Sequence, residues 1–281
     1  LKPFWQRSNV FPADVYHPER ALRYRNLAPL AADAKSVGGC RVLRLRLALH
    51  PQLAGKKLLA LSDLHFNDRA EDHQKIAALR EFLLAEKCEG ILLAGDGVGD
   101  AVAIDAFADA LAPLTSAVKF AVASPGNWEQ SKKWISDSLW HALYREAGFD
   151  LLCNEGRLYG QLFIAGSRDL HFGVPKAIPV PEAAHGAILL AHSADAVVYL
   201  DDGDALQKYR LAITGHFHGG QVRLPFLPPF FLPSCYGRRF AAGFFRRAGM
   251  PLEMMILRGA GELSFPWRFN SPREIALIEL I

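Results

Sequence analysis

The sequence predicts an α/β fold, and three observations carry that expectation. Short apolar runs at residues 57–61, 90–94 and 118–123 alternate with segments of helical period. Each run ends in residues suited to chemistry rather than packing: Asp63 and His65, then Asp96, then Asn127. A later apolar run at 211–213 leads into Thr214, Gly215, His216, Phe217, His218, Gly219, Gly220 and Gln221. Strands that alternate with helices build a largely parallel sheet, and open sheets of this kind bind ligands outside the carboxyl ends of their strands.

Length and composition set the frame. The chain has 281 residues, 51% of them apolar, enough for one large core. No internal repeat, low-complexity tract or clear linker divides it. The expectation is a basic N-terminal extension with a first strand over 1–50 and a single domain over 51–281. No run reaches the roughly 18 uncharged apolar residues of a spanning helix, so an integral membrane protein is not expected. Because the chain begins at Leu1 rather than Met, an upstream anchor or signal stays open. The cysteines, Cys40, Cys88, Cys153 and Cys235, form no Cys-x-x-Cys pair and read as reduced thiols, which points to the cytoplasm. The net charge of +3 is uneven: residues 1–50 hold nine Lys or Arg against three acids, a net of +6, leaving −3 for the remainder. A basic front end suits either solvent or an anionic surface such as lipid headgroups.

Taken in order, residues 1–40 read as loops with a short helix. Residues 41–49 alternate, with Leu43, Leu45 and Leu47 opposite Arg44 and Arg46, as in a half-exposed strand. After the 57–61 strand, residues 74–87 space Ile76, Leu79, Phe82 and Leu83 helically. An Ala-rich helix is expected over 100–111 and another over 131–148, carrying Trp134, Ile135, Leu139, Trp140 and Leu143. Further strands are expected at 149–153, 158–165 and 187–191, the last leading into His192, then at 210–213, near Val222, at 254–257 and at 275–281.

The candidates for chemistry are therefore Asp63, His65, Asp96, Asn127, His192, His216 and His218. Residues two apart on a strand share a face, so Asp63 with His65, and His216 with His218, can aim at one point. Oxygen and imidazole donors without thiolate suit manganese, iron or zinc in a reactive site. Seven donors exceed the needs of one ion, and two divalent ions sharing a carboxylate is the economical arrangement, with Asp96 as the bridge. Two ionised aspartates and neutral histidines leave a local charge of about +2, which attracts phosphate, and two such ions lower the pKa of a shared water.

Asp63-x-His65, Gly95-Asp96, Gly126-Asn127, His192 and Gly215-His216-x-His218 together resemble the calcineurin-like metallophosphoesterase superfamily, over about residues 57–281. The Gly-His-x-His-Gly-Gly-Gln run, followed by Arg223-Leu224-Pro225 and later by Arg268-Phe269-Asn270 and Pro272 to Glu274, is similar to bacterial membrane-associated phosphodiesterases of that superfamily. The resemblance implies a four-layer α/β/β/α sandwich of two mixed sheets flanked by helices. It also implies one ion on Asp63, His65, Asp96 and His218, and a second on Asp96, Asn127, His192 and His216. Asp96, Asn127 and His192 would then act in catalysis.

One position departs from the pattern. Where the family usually has a histidine after Gly-Asn, this chain has Trp128, and the general-acid contribution, about 10²- to 10⁴-fold, is missing or comes from elsewhere. His73, His141, His171 and His185 are the spare histidines. The loss matters least for diester or pyrophosphate substrates, whose leaving groups are stable anions. Arg168 is placed to reach a phosphate, as is Asn127, or to form an ion pair. Residues 224–233, rich in Phe, Leu and Pro, precede Arg238, Arg239, Phe240, Phe244, Phe245, Arg246 and Arg247, and suit either a membrane interface or a packed loop. A lipid-linked substrate such as UDP-2,3-diacylglucosamine, met at the inner membrane face, is one expectation by analogy. A nuclease or cyclic-nucleotide phosphodiesterase is the alternative, and a metal-binding scaffold with little turnover is another. No nucleic-acid recognition element is visible, and no protein partner is implied.

Overall fold

A computed structural model describes residues 15–224, 232–263 and 267–281. Its helices are α1 (Pro18–Ala21), α2 (Ala70–Glu86), α3 (Ile104–Thr115), α4 (Asn127–Ser131), α5 (Asp137–Glu146) and α6 (Ala194–Leu200). Its strands are β1 (Tyr24–Asn26), β2 (Ala31–Ala32), β3 (Arg41–Leu47), β4 (Lys57–Leu61), β5 (Gly90–Ala94), β6 (Phe120–Ser124), β7 (Asp150–Leu151), β8 (Glu155–Tyr159), β9 (Leu162–Gly166), β10 (Gly186–Leu190), β11 (Leu211–Thr214), β12 (Gly243–Arg247), β13 (Glu253–Ile256) and β14 (Glu274–Leu280).

Among the described residues these strands form two seven-stranded sheets, ordered β2-β3-β14-β4-β5-β6-β7 and β1-β12-β13-β11-β10-β9-β8. Strands β4 to β7 run parallel, as do β9, β10, β11 and β13, while β14 pairs parallel with β3 and antiparallel with β4. The central strands are apolar on both faces because both faces are covered. Leu58, Leu92, Val122, Ile164, Ile188, Ile213 and Met255 fill the space between the sheets. Leu61, Leu93, Leu79, Phe107, Leu111 and Tyr144 join one sheet to α2, α3 and α5. Ala165, Leu189, Met254, Val197 and Phe245 pack the other sheet against α6. The result is the expected four-layer α/β/β/α sandwich.

Several elements differ from the sequence reading. The helix expected over 131–148 is shorter: α4 ends at Ser131, and α5 begins only at Asp137, where the Ser136 hydroxyl accepts from the Leu139 N–H, and ends at Glu146. The strand expected over 158–165 is the hairpin β8-β9, turning at Gly160 with φ of 64°. Over their described part the first fifty residues join both sheets, β1 pairing with β12 and β2 with β3. Arg20 pairs with Asp202, Arg44 with Asp33 and Glu86, and Arg46 with Glu279, so part of the basic excess is matched internally. All four cysteines are free thiols. No helix among the described residues is long and apolar enough to cross a membrane.

Candidate metal centre

The parallel strands β4, β5 and β6 of one sheet and β10 and β11 of the other end at the same edge of the sandwich, and the donor residues follow those ends, six on the turns and Asn127 as the first residue of α4. Backbone bonding continues past the strand ends: the Asp63 N–H donates to Gly95 O, the His65 N–H to Asp96 O, and the Gly215 N–H to His192 O. The sheets are tied through a side chain as well, since the His216 N–H donates to both oxygens of Asp63 at 2.9 and 3.0 Å.

Five of the seven donors have left-handed backbone: Asp63 (φ 48°), His65 (43°), Asp96 (52°), His216 (74°) and His218 (48°). Each such non-glycine residue costs about 1 kcal/mol or more, and strain of this kind gathers at functional sites. The turns also admit no side chain at their glycines. A Cβ on Gly215 would sit 2.0 Å from Asp63 Oδ2, and one on Gly126 would sit 2.0 Å from Asp96 Oδ1.

The donor atoms face one another at spacings that fit shared cations. His65 Nε2 and His218 Nε2 are 3.1 Å apart with their rings stacked at 28°, an arrangement poor for a hydrogen bond between them. His218 Nε2 lies 3.4 Å from Asp63 Oδ1. On the other side, His192 Nε2 is 2.8 Å from Asn127 Oδ1 and 3.0 Å from His216 Nδ1. Asp96 Oδ2 stands between, 3.5 Å from His65 Nε2 and 3.3 Å from His192 Nε2. Atoms bound at about 2.0–2.2 Å to one ion lie roughly 3.0–3.5 Å apart, so the donor set fits two ions with Asp96 facing both. Two groups with metal-binding spacing, Asp63 with His65 and His218, and Asp63 with Asp96 and His192, make the same point and bring Asp63 near both halves. The His192 Nδ1 is 3.1 Å from Ala94 O, a contact that assigns its proton there and leaves Nε2 free to ligate.

Electrostatics favour cation binding. Burial pushes Asp96 up to about 7, with Glu129 and Asp63 adding to the shift against the pull of His192. For His192 burial acts downward but is outweighed by Asp96 and Asp63, which raise it to about 10, so the pair holds a proton that a cation would displace. Asp63 is well below the usual carboxylate range, because His218, His192 and His65 outweigh the effect of burial. Burial, reinforced by neighbouring imidazoles, keeps His65 and His216 well below the ordinary value, so both offer lone pairs at neutral pH.

The surroundings hold the donors and define the walls. Trp128 donates its backbone N–H to Asp96 Oδ1 at 2.9 Å, sets its ring edge-on to His65 at 5.8 Å, and carries Lys132 over its face at 4.3 Å. Arg168 is taken up by an ion pair with Asp137, the second of the two roles its position allowed. Of the spare histidines, His73 bonds Asp68, His185 stacks on His50 and His141 lies on α5, whereas His171 stands 4.7 Å from His216 beside Asp169. Phe240, Phe244 and Phe245 are buried, Phe244 between the sheets and Phe245 under α6, because both faces of β12 are covered. Arg246 pairs with Glu253 and Arg247 with Asp201, so neither aromatics nor these arginines form a free interface. Residues 225–231 of the Phe, Leu and Pro stretch lie outside the described residues.

Sequence reasoning passed over Glu129. Its buried carboxylate accepts from the N–H groups of Gly126, Asp96, Gly97 and Val98 and from the Tyr144 hydroxyl at 2.6 Å. The signal was present: a glutamate three residues after Gly126 is the third helical residue of α4, where it can reach back to the cap. Ser271 and Arg268 similarly hold the turn of His218 by donating to its carbonyl at 2.7 and 3.4 Å.

No family model matches the chain. Phosphodiesterase YaeI of Escherichia coli (strain K12) is 29% identical over 251 residues, covering 87% of this chain and 89% of that protein. The uncharacterized metallophosphoesterase YkuE of Bacillus subtilis (strain 168) is 33% identical over 94 residues, 34% of this chain and 30% of its own. Among solved structures, a dimetal phosphatase from Danio rerio superposes with a TM-score of 0.44 at 10% identity, over 73% of this chain and 88% of that one.

Proposed function

Because this chain belongs to the calcineurin-like metallophosphoesterase superfamily, we propose that it hydrolyses a phosphodiester or pyrophosphate bond with two divalent cations. The observation that carries the reading is the convergence of Asp63, His65, Asp96, Asn127, His192, His216 and His218, each with a donor atom 2.8–3.5 Å from that of at least one other, across the seam between two sheets. When bound, the cations supply a water acidic enough to attack at neutral pH and a clamp for phosphoryl oxygens. Asp63, His65 and His218 would hold one, Asn127, His192 and His216 the other, and Asp96 both. The oxygen and imidazole donor set favours manganese, with zinc or iron as alternatives.

The chain's own residues do the rest. The Asn127 amide oxygen faces His192 at 2.8 Å, and its NH₂ group would be left to donate to a phosphoryl oxygen. Trp128 offers an indole wall and no proton, so the departing oxygen has to be stable as an anion, as in an aryl diester or a pyrophosphate. Arg168 would contact substrate only after release from Asp137. In its finer form the substrate is lipid-linked, with the enzyme acting at a membrane face.

The test is turnover of bis(p-nitrophenyl) phosphate with manganese, set against an alkyl phosphomonoester. The diester is expected to be preferred, and Asp96→Ala to lower its turnover by at least about a hundredfold. Preference for the monoester would reject the substrate assignment. Equal rates in variant and parent would instead support a metal-bound scaffold with little turnover.

A further inference from the structure

Beside the metal centre lies a cavity of about 250 Å³ that His65 and Trp128 both line. His65 is at once a donor of the centre and part of this wall, so a substituent on the phosphorus under attack has the space next to it. The volume falls below the roughly 300–1,000 Å³ of pockets that enclose a drug-sized ligand, and suits one small group.

The walls are polar. Leu263 is their one aliphatic side chain among the described residues, and three cations, Arg69, Lys75 and Arg273, accompany four carboxylates, Glu71, Asp72, Asp100 and Glu262. Two pairs close among themselves: Lys75 with Asp72 at 3.4 Å, and Arg273 with Glu262. Among the described residues the Arg69 guanidinium and the Glu71 carboxylate make no ion pair, and the Asp100 carboxylate accepts only from the Val102 N–H, at 3.4 Å. Asn67 donates its NH₂ group to His65 O at 2.6 Å, which leaves its amide oxygen as an acceptor.

These free groups discriminate between occupants. An alkyl group would strip water from Arg69, Glu71 and Asp100 and return no hydrogen bond, which is costly for charged groups. A second phosphate would meet one free guanidinium against two free carboxylates, a wall of net negative charge. A hydroxyl donates to a carboxylate or an amide oxygen and accepts from a guanidinium, so adjacent hydroxyls satisfy both kinds of group at once.

We propose that this cavity holds a neutral, hydroxyl-bearing substituent of the substrate, the size of glycerol or one sugar ring, recognised by Arg69, Glu71 and Asp100. This rests on the phosphohydrolase reading for the location of the phosphorus. The substituent is the one that stays on phosphorus, because its own alkoxide would need a proton that Trp128 does not carry. The oxygen of water bonds to phosphorus, a water proton passes to solvent, and the other ester oxygen leaves with the electron pair of its bond. The product is a polyol phosphate.

The experiment is calorimetric titration of the manganese-loaded protein with three non-hydrolysable compounds of one chain length: butylphosphonate, 3,4-dihydroxybutylphosphonate and butane-1,4-diphosphonate. The dihydroxy compound is expected to bind about tenfold or more tighter than butylphosphonate, the worth of a hydrogen bond to a charged group, and the diphosphonate no tighter than butylphosphonate. Arg69→Met and Asp100→Asn are each expected to bring the advantage of the hydroxyls to within about threefold, with the Asn side chain still able to accept from Val102. Equal affinity for the dihydroxy compound and butylphosphonate overturns the proposal, and so does tightest binding of the diphosphonate, which would make the cavity an anion site. A loss of equal size on all three compounds in both variants overturns it as well, since these residues would then hold the fold or the phosphonate and not the hydroxyls. Turnover of the aryl diester without any preference for hydroxyls refutes the cavity assignment alone, whereas a protein that neither turns over the diester nor binds any phosphonate refutes the phosphohydrolase reading with it.

Discussion

Replacing Glu129 with Gln tests whether the strand-end turns are held by one buried carboxylate. Glu129 Oε1 accepts from Gly97 N at 2.8 Å, Tyr144 Oη at 2.6 Å and Val98 N at 3.4 Å, and Oε2 accepts from Gly126 N at 2.8 Å and Asp96 N at 3.2 Å. An amide in either orientation turns an NH₂ group toward at least two backbone N–H donors. Hydrogen bonds to a charged acceptor contribute about 1.5–3 kcal/mol each, and part of the loss is offset because a buried amide is cheaper to desolvate than a carboxylate. A net destabilisation of about 3 kcal/mol is expected, a large share of the 5–15 kcal/mol typical of a folded domain. Asp96 and Asn127 flank the released turns, so manganese affinity should fall by about 10- to 100-fold. Urea unfolding and metal titration read the two effects, and Tyr144→Phe, which removes one donor, should cost about 1 kcal/mol. An unfolding free energy within about 0.5 kcal/mol of the parent, with unchanged metal affinity, would refute the reasoning.

Trp128→His restores a proton donor beside His65, and turnover of an alkyl phosphomonoester should rise by about 10²-fold while the aryl diester gains nothing. Steady-state rates on the two substrates check this, and a gain confined to the diester contradicts the account of the leaving group. A pH-dependent stability is expected from Asp195, whose carboxyl burial pushes up to about 6 although Ser234 and the Cys235 N–H donate to it. The folded state therefore holds this proton more tightly than the unfolded chain, where the pKa is about 3.9, and the cost of ionising it grows between about pH 4 and pH 6 and is constant above. Asp195→Asn should be more stable than the parent by up to about 3 kcal/mol at pH 7.5 and nearly equal to it at pH 4. Urea unfolding at both values measures this; a difference independent of pH removes Asp195 as its source.

The parts of the fold that were legible in the sequence are those where burial on both faces forces an apolar run. β4, β5, β6, β10 and β11 all have that form, and each hands a polar residue to the next turn. The edge strands β1 and β2, and β12 next to β1, were not legible. β2 has two residues, β1 has three, and β12 mixes Phe with Arg, so its buried aromatics read equally well as an interface. The break before α5 was hidden because Trp134 and Ile135 continue the helical period through it; Ser136 was the available marker. The donors of the centre stood out by spacing and type. Glu129 did not, because a single acid near a helix start looks like any surface charge until Tyr144 and four N–H groups are seen to surround it.

The bond from the His216 N–H to the Asp63 carboxylate means that the cage has one wall in each sheet. Its width is then set by how closely the sheets approach, which Leu92, Ile188 and Ile213 determine from the interior. Trimming or enlarging one of these distant aliphatic groups should shift the relative preference for smaller and larger divalent ions, with every ligand left intact.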